Sequence, residues 1–431
     1  MHAPHTEFVE VGLDRIGDRG DRTLDLVRTG YPWGARMRNG AAAVPSRVLG
    51  RRAAVVGGPE GVRRFYDPRL RRRGAFPLPI KLVLFGPGTV HGLDDAEHHL
   101  RKALFLGVIT PETVAALGER AERERTSATA DWAHGDRVVL FDEAVQVIAR
   151  SVLPWAGVPI SGEELSRRAA QMATVLHGFA AHGPAYARAV RARLQVGRWA
   201  RGLIRGTRAG RIQPPPGTAL HAAAAARDTK GDLLPERVAA TSLLNVVRPA
   251  VAVAWFVAFA GKALHEHADW RERIAAGDDA ALDAFVQEVR RLYPFVPVLA
   301  ARARKGQDVL GVHVPRGGLV VLDVHGTDHD PVHWPDPDRF DPNRFLQGAV
   351  DPDTLVPQGG GDVANGHRCP GEGVTLTLLA VATRALARLP HTLPPQDLGY
   401  DLTRIPTRPR SSVVLTDVRP DAGTGGSPPT R

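Results

Sequence analysis

The chain has 431 residues, of which 43% are hydrophobic, and this is enough to bury a sizeable core in one large domain or two. Its formal net charge is +10, but only five of the 56 basic residues are Lys, and the many Arg residues are scattered along the chain. This pattern indicates an Arg-rich coding bias of the kind found in GC-rich bacteria and disfavours nucleic-acid binding, while the single cysteine excludes an internal disulfide and fits a reducing cytoplasm.

The first predicted element is a mixed arm over residues 1–30, whose polar and charged start indicates neither a signal peptide nor a membrane anchor. Short strands are predicted from Val48 to Val62, around a pair of glycines. Six Arg residues between Arg63 and Arg73 indicate either a solvated face or a binding surface for anionic groups. The stretch from Phe76 to Val90 contains several Pro and Gly residues and is expected to be irregular, and His91 ends it.

Helical periodicity begins at Ala96–Leu106 and places His98 and Arg101 three residues apart, on one face of the predicted helix. The run Pro214–Gly217 is expected to form a surface loop. Further helices are predicted over residues 111–125, 138–152, 163–205 and 374–386.

The longest apolar segment runs from Glu236 to His267 and is long enough to span a membrane. Arg248 lies near its centre, and a cation in the middle of a bilayer is costly, so a core helix is the better prediction. Pro249 removes the amide that would bond the Asn245 carbonyl and is expected to bend the helix. No acid lies within one turn of Arg248, so its partner is either a distant acid or an anionic ligand.

Downstream, Glu288 and Arg291 share one helical face, although many helices show this spacing by chance. A strand is predicted at Gly318–Val324, followed by Pro-rich turns and by Arg344 in the segment Pro342–Phe345. These elements precede the loop that contains the only cysteine.

That loop, Val356–Glu372, surrounds Cys369 with residues that favour a thiolate. A lone cysteine is usually a small buried hydrophobe, but His367 and Arg368 place positive charge beside this one, and a predicted helix begins just after it. A lowered thiol pKa is therefore expected. The loop glycines are expected to let the backbone approach a flat or bulky group and to turn amides toward the sulfur; they are Gly359, Gly360, Gly361, Gly366 and Gly371.

A single thiolate cannot hold zinc or an iron–sulfur cluster, whereas haem needs only one protein thiolate. The arrangement of His367, Cys369 and Gly371 resembles the axial-ligand loop of the cytochrome P450 family. The Glu288 and Arg291 pair and the later Arg344 occur in the order found in that family.

The loop also departs from the common family pattern, because Asp362 and Asn365 stand where Phe and Gly are usual. Its longer Gln-Gly-Gly-Gly run resembles the fatty-acid peroxygenase and decarboxylase subgroup instead.

The resemblance implies a mainly α cytochrome P450 fold with a small β-rich region. Residues 1–420 would form one domain and residues 421–431 a flexible tail. It also implies a haem b buried between the central helix and the cysteine loop, with Cys369 as the axial ligand of the iron. The expected partners of the haem propionates are His98, Arg101, Arg72 and His367.

Oxygen-activating members of the family carry an acid and an alcohol in the central helix, and the turn Val247–Ala250 has neither. In the similar subgroup the Arg of this turn binds the substrate carboxylate, which then handles the protons of hydrogen peroxide. The resemblance therefore assigns this role to Arg248, with Pro249 beside it. Phe85 and Phe295 would line the substrate channel with Pro249.

His91 lies seven residues before His98. At this spacing the similar subgroup has a residue above the haem, which is His in decarboxylating members and Gln in several hydroxylating ones. An imidazole there is expected to titrate near neutral pH and to favour loss of carbon dioxide.

The resemblance implies a hydrogen-peroxide-dependent enzyme acting on medium- to long-chain fatty acids. Its products would be α- or β-hydroxy acids and terminal alkenes. It would work in a bacterial cytoplasm without a redox partner, a membrane span or nucleic acid. The alternatives are a monooxygenase that takes electrons from a redox partner and oxidises another carboxylic acid or natural product, and a non-catalytic haem-thiolate sensor.

Overall fold

The computed structural model describes residues 20–419, which form a mainly α structure with a small β-rich region, as predicted. Part of the arm predicted at residues 1–30 and the whole tail predicted at residues 421–431 lie outside the described residues. The helices are α1 (Thr23–Thr29), α2 (Trp33–Arg38), α3 (Gly58–Phe65), α4 (Leu78–Ile80), α5 (Asp95–Val108), α6 (Pro111–Trp132), α7 (Leu140–Trp155), α8 (Gly162–Gly178), α9 (Pro184–Arg208), α10 (Ala219–Ala225), α11 (Glu236–Val251), α12 (Val253–Glu266), α13 (Ala268–Ala275), α14 (Asp279–Leu292), α15 (Val324–Asp328) and α16 (Glu372–Arg388). The strands are β1 (Ala43–Val48), β2 (Arg51–Val56), β3 (Leu70–Arg71), β4 (Val138–Val139), β5 (Val298–Ala303), β6 (Gln307–Val309), β7 (Val312–Val314), β8 (Leu319–Asp323) and β9 (Val414–Leu415).

The largest sheet has the strand order β1-β2-β8-β5-β3, and only its β2 and β8 pair is parallel. The strand prediction is right for β2 but wrong beyond Val56, where helix α3 begins at Gly58. Pro59 suits the first turn of a helix, since its fixed φ is already helical. A Cβ on Gly61 would lie 3.2 Å from the Val56 backbone, so the missing side chain lets α3 pack closely on β2.

The single helix predicted over residues 163–205 is in fact two helices, α8 and α9. Gly183 precedes α9 with φ of +63°, which favours glycine. A Cβ on Gly178 would lie 2.8 Å from the Ala185 carbonyl oxygen, so this glycine allows the two helices to touch. Likewise, the stretch predicted as irregular before His91 contains a helical turn, α4, that continues as a π-helical turn over Lys81–Phe85.

Helices α11 and α12 form the centre of the protein. Together they span 31 residues that are long and apolar enough to cross a membrane, but 89% of their most apolar window is buried inside the fold. The prediction of a core helix is therefore confirmed. The helix is interrupted at Ala252, whose amide bonds the Arg248 and Pro249 carbonyls at 3.3 and 3.1 Å, as expected near a proline that cannot donate.

Glu288, Arg291 and Arg344 meet in the structure. Arg291 Nε donates to Glu288 at 2.6 Å with both side chains fully buried, and Arg344 Nε lies 3.6 Å from the same carboxylate. Arg291 also donates to the carbonyls of Asp328 and Pro337, at 3.0 and 2.8 Å. This ion pair thus ties α14 to the chain that leads into the cysteine loop.

Two adjacent histidines, His325 and His329, lie near this ion pair and give the fold a pH dependence. The rings of His325 and His329 are 4.1 Å apart, and burial lowers the pKa of His329 to about 4 and that of His325 well below its usual value. Between that pKa and the ordinary value of about 6.5, the unfolded chain binds protons that the folded chain does not. Each histidine therefore destabilises the fold as the pH falls through this range.

We expect His329→Asn to lower the acid sensitivity of the fold. From about pH 7 to about pH 4, the unfolding free energy of the wild type should fall by on the order of 3 kcal/mol more than that of the variant. Urea unfolding at several pH values measures this, with His134→Asn at an exposed position as the matched control. A difference that is constant with pH would contradict the prediction.

Candidate active site

Cys369 lies just before the first turn of α16 and is partly accessible. Burial of the sulfur raises the pKa of the thiol, and this effect outweighs the opposing hydrogen bond from the Gly371 amide and the charges of Lys102 and Arg290. The prediction of a lowered thiol pKa is therefore wrong for the protein alone, because desolvation disfavours a thiolate. A metal ion bound to the sulfur would supply the missing positive charge.

The positive charge near Cys369 does not come from the two residues that precede it. Arg368 donates to Glu372 at 2.9 Å, so its charge is already paired. Burial, followed by the charge of Arg72, lowers the pKa of His367 far below its usual value, and its imidazole is neutral. Lys102, which was not among the predicted site residues, donates through Nζ to the Gly366 and Arg368 carbonyls at 3.1 and 2.5 Å.

The glycine run of the loop packs on a tyrosine of α3 and its following turn. Added Cβ atoms on Gly359, Gly360 and Gly361 would lie 2.7 to 2.8 Å from Tyr66 or its neighbour Val62. The Gly360 amide also donates to the Tyr66 hydroxyl at 2.9 Å. The flat group that these glycines approach is thus a protein side chain, and their role is to anchor the loop.

Behind the sulfur, Gln358 is held in one orientation. Its Oε1 accepts from Arg290 at 3.2 Å, so its Nε2 points the other way and donates to Thr375 Oγ1 at 3.0 Å. The same Nε2 lies 3.8 Å from Cys369 Sγ. Arg290 is fixed in turn by Glu372, at 2.5 Å. This network presents an N–H group to the sulfur and supports it from the side of α14.

The residues predicted to hold propionates come together, with one exception. The rings of His98 and His367 lie 3.9 Å apart, and Arg72 is buried with its Nη1 unpaired among residues 20–419. Arg101, by contrast, donates to the Gly88 carbonyl and to Ser242 Oγ, at 3.1 and 3.2 Å.

Lys102 lies one turn after His98 on the same face of α5, at a spacing that could have revealed it. Burial lowers the pKa values of these groups, to about 10 for Arg72, about 4 for His98 and about 8 for Lys102. Such a cluster fits the two carboxylates of a haem, and with the sulfur of Cys369 it supplies the donor set that a haem needs.

Arg248, on the central helix α11, is a buried cation that has no acidic partner among the described residues. Its side chain is 3% exposed, and its Nε and Nη1 have no partner among the described residues. Burial, followed by repulsion from Arg193, lowers its pKa to about 9, so it remains charged at neutral pH. Pro249 is exposed although Arg248 and Ala250 are buried, so open space adjoins the helix here.

A chain of hydrogen bonds joins Arg248 to His91. Arg248 Nη2 donates to Asn245 Oδ1 at 2.8 Å, Asn245 Nδ2 donates to Thr89 Oγ1 at 3.0 Å, and Thr89 Oγ1 lies 2.9 Å from His91 Nδ1. Because a guanidinium only donates, Asn245 Oδ1 accepts from Arg248, and Asn245 Nδ2 donates to Thr89 Oγ1. The direction of the bond between Thr89 and His91 depends on the tautomer of the imidazole, since a hydroxyl can accept two hydrogen bonds.

His91 is neutral in the structure. Burial, followed by the charge of Arg248, lowers its pKa to about 3. The expectation that it titrates near neutral pH is therefore wrong, because the neighbouring guanidinium and the loss of water both disfavour the imidazolium. The side chains of Asn245 and Thr89 were not predicted to belong to the site, although Asn245 lies one turn before Arg248 on the same face of α11.

The two predicted channel phenylalanines differ in their surroundings. Phe85 stacks on His91 with ring centroids 4.4 Å apart, so it lies beside the hydrogen-bonded chain. Phe295 stacks on Phe256 of α12 at 4.5 Å and is half-buried against the core. Phe85 is thus placed directly at the site, whereas the contacts of Phe295 are with the core.

A family model described as Cytochrome P450 matches residues 280–397. The chain is also similar to solved structures of cytochrome P450SP alpha (CYP152B1), with 38% identity, a TM-score of 0.90 and coverage of 93% of this chain and 99% of that one. Cytochrome P450EX alpha (CYP152N1), solved with myristic acid, gives 38% identity, a TM-score of 0.89 and coverage of 93% and 98%. Among curated relatives, cytochrome P450 3A16 of Mus musculus is 36% identical over 83 residues, which are 19% of this chain and only 16% of that protein.

Cys369→Ser should abolish thiolate ligation of the haem, because a hydroxyl is a far weaker ligand for iron than a thiolate. The ferrous carbon monoxide complex of the wild-type protein should show the red-shifted Soret band of a thiolate complex, and the variant should lose it entirely. Difference spectra of the purified proteins measure this. A variant that retained the band would show that another residue binds the iron.

Proposed function

The chain belongs to the cytochrome P450 family, and we propose that it is a hydrogen-peroxide-dependent peroxygenase of medium- to long-chain fatty acids. The observation that carries the proposal is Arg248, a buried guanidinium beside open space that has no acid partner among residues 20–419. A fatty acid supplies the missing carboxylate. Cytochrome P450EX alpha, solved with myristic acid, gives the same substrate class independent support.

Family membership implies a haem cofactor, and the residues around Cys369 fit one. Cys369 would hold the iron, and Arg72, His98, His367 and Lys102 would hold the propionates. We assign Lys102 to this set in place of Arg101 because burial lowers the pKa values of His98 and His367 and the charge of Lys102 lowers them further, while Arg101 donates to the Gly88 carbonyl. When bound, a thiolate-ligated haem supplies the electron density that favours cleavage of the peroxide O–O bond.

Arg248 orients the substrate. Its Nε and Nη1 retain donors for a carboxylate, while its Nη2 is fixed by Asn245 at 2.8 Å. A guanidinium that is already buried and oriented loses little further entropy when it binds an acid, so the first carbons of the chain are held in one position. Exclusion of water strengthens the ion pair.

The substrate carboxylate also handles protons. The turn from Val247 to Ala250 offers neither a carboxyl nor a hydroxyl side chain. The carboxylate bound to Arg248 is then the acid–base group nearest the open space, and it can accept and return a proton of hydrogen peroxide. This arrangement explains how the protein would act without a redox partner.

The choice of product depends on His91. We assign its proton to Nε2, with Nδ1 accepting from the Thr89 hydroxyl, so that Nε2–H is a neutral donor whose charge state does not change around neutral pH. A fixed donor beside the bound carboxylate can hold one of the carboxylate oxygens and so influence whether carbon dioxide leaves. We therefore include both hydroxy acids and terminal alkenes among the products.

Arg248→Gln should bind fatty acids about 10- to 150-fold more weakly, since a charge-assisted hydrogen bond contributes about 1.5–3 kcal/mol. Its peroxide-driven turnover should be lost as well. Calorimetric titration with a saturated acid measures the affinity. Incubation with peroxide and a panel of saturated acids, without any reductase, followed by chromatography measures the turnover. Arg237→Gln on the exposed face of the same helix is the matched control. Turnover by the wild-type protein that needs a reductase, or unchanged turnover by Arg248→Gln, would contradict the proposal.

Thr89→Val removes the hydroxyl of the chain while keeping the shape of the side chain. His91 is then free to move its proton to Nδ1, and we expect the alkene fraction to change by at least about twofold, since each lost hydrogen bond is worth about 1 kcal/mol. Thr89→Ser should restore the wild-type ratio, which a purely structural effect would not explain. The alkene to hydroxy-acid ratio measures the result, and an unaltered ratio in Thr89→Val would exclude a role for this chain.

A further inference from the structure

We propose that Arg193 is a second carboxylate-binding residue, and that the preferred substrate is an α,ω-dicarboxylic acid whose far carboxylate it binds. The proposal rests on the proposed function, because Arg248 binds the near carboxylate. It narrows the substrate class from fatty acids in general to acids with an anionic group at each end.

Arg193 is a buried cation without an acid, as Arg248 is. It is 8% exposed on the face of α9 that carries Ala189, Ala192 and Val196, and its Nε has no partner among residues 20–419. Burial alone lowers its pKa, to about 10, and no described carboxylate opposes that shift. It is therefore charged and lacks a counter-charge.

Other buried arginines show what is missing. Within the described part of the chain, Arg38 binds Asp323 at 2.9 Å, Arg290 binds Glu372 at 2.5 Å and Arg291 binds Glu288 at 2.6 Å. A buried guanidinium with no such partner is costly for the fold. Among the described residues Arg193 lacks such a partner, as do Arg72 and Arg248, which the proposed function assigns to carboxylates. By the same reasoning Arg193 points to an anionic ligand.

The guanidinium of Arg193 lies next to the candidate active site. A Cβ on Gly86 would be 2.1 Å from Arg193 Nη2 and 3.1 Å from Thr241 Oγ1, so the arginine fits between the loop after Phe85 and helix α11. Only a glycine leaves this room.

Thr241 lies two helical turns before Arg248 on the same face of α11, a distance of about 10 Å. Arg193 is also close enough for its charge to lower the pKa of Arg248. Both guanidinium groups thus lie where α11 packs against the segment from Phe85 to His91, one near Gly86 and the other linked through Asn245 to Thr89.

An ordinary fatty acid would satisfy only one of these cations. Its methylene chain would run past Arg193 and remove the remaining water from a charge that it cannot pair. A medium-chain dicarboxylic acid pairs both, with its apolar spacer along the intervening turns of α11. Two negative charges would also relieve the repulsion between the two arginines.

Calorimetric titration of the wild-type haem protein with dodecanedioic acid and with dodecanoic acid tests the proposal. We expect the diacid to bind at least about tenfold more tightly, through its second charge-assisted pair. Arg193→Leu should reverse this preference, Arg193→Lys should keep part of it, and Arg198→Leu at an exposed position of α9 should leave it unchanged. Equal affinities in the wild type, or a diacid preference that survives in Arg193→Leu, would overturn the proposal.

If Arg193→Leu does not fold, titration of the wild-type protein with diacids of different spacer lengths tests the proposal instead. Diacid affinity for the wild-type protein should peak at one spacer length, because the distance between the two arginines is fixed. An affinity that simply rises with chain length, as for monoacids, would overturn the proposal. These titrations need no turnover, so a failure of peroxide-driven oxidation would count against the proposed function and leave the test of Arg193 intact.

Discussion

The burial of Arg248 without a counter-charge is the constraint on which the site depends. A guanidinium placed inside an apolar helix must complete its hydrogen bonds with something, and the described residues offer only the Asn245 amide. The central helix therefore carries a charge that is costly for the fold and available to an anionic ligand. The buried ion pair of Glu288 and Arg291 shows the opposite case, where the protein supplies both partners and the charge is purely structural.

The same guanidinium also determines the chemistry of its neighbours. It can only donate, so the direction of the hydrogen bonds through Asn245 to Thr89 is fixed, and Thr89 in turn bonds His91 Nδ1. Burial, followed by the charge of Arg248, lowers the pKa of His91 and keeps its imidazole neutral, so it is not a proton switch near neutral pH. Under the proposed function, substrate binding, proton handling and product choice would be linked through this one guanidinium.

Long, regular patterns could be read correctly from the sequence, and short ones could not. The helices α5 and α16 and the strand β8 were predicted because many residues repeat one periodicity. The strand expected beyond Val56 and the continuous helix expected across Gly178 failed for a different reason. Each depends on one glycine that lets two elements touch, and that contact is visible only in three dimensions.

For the site, the sequence by itself determined the identity of the reactive groups: the one sulfur at Cys369, the cation at Arg248 in an apolar helix, and the absence of an acid and alcohol beside it. Only the tertiary structure decided which of many similar side chains join them. Arg193 is one of several arginines on α9, and Lys102 adjoins the Arg101 that the spacing favoured. Burial sets charge state and partner choice, and burial depends on which helix face meets another element, which a local pattern does not contain.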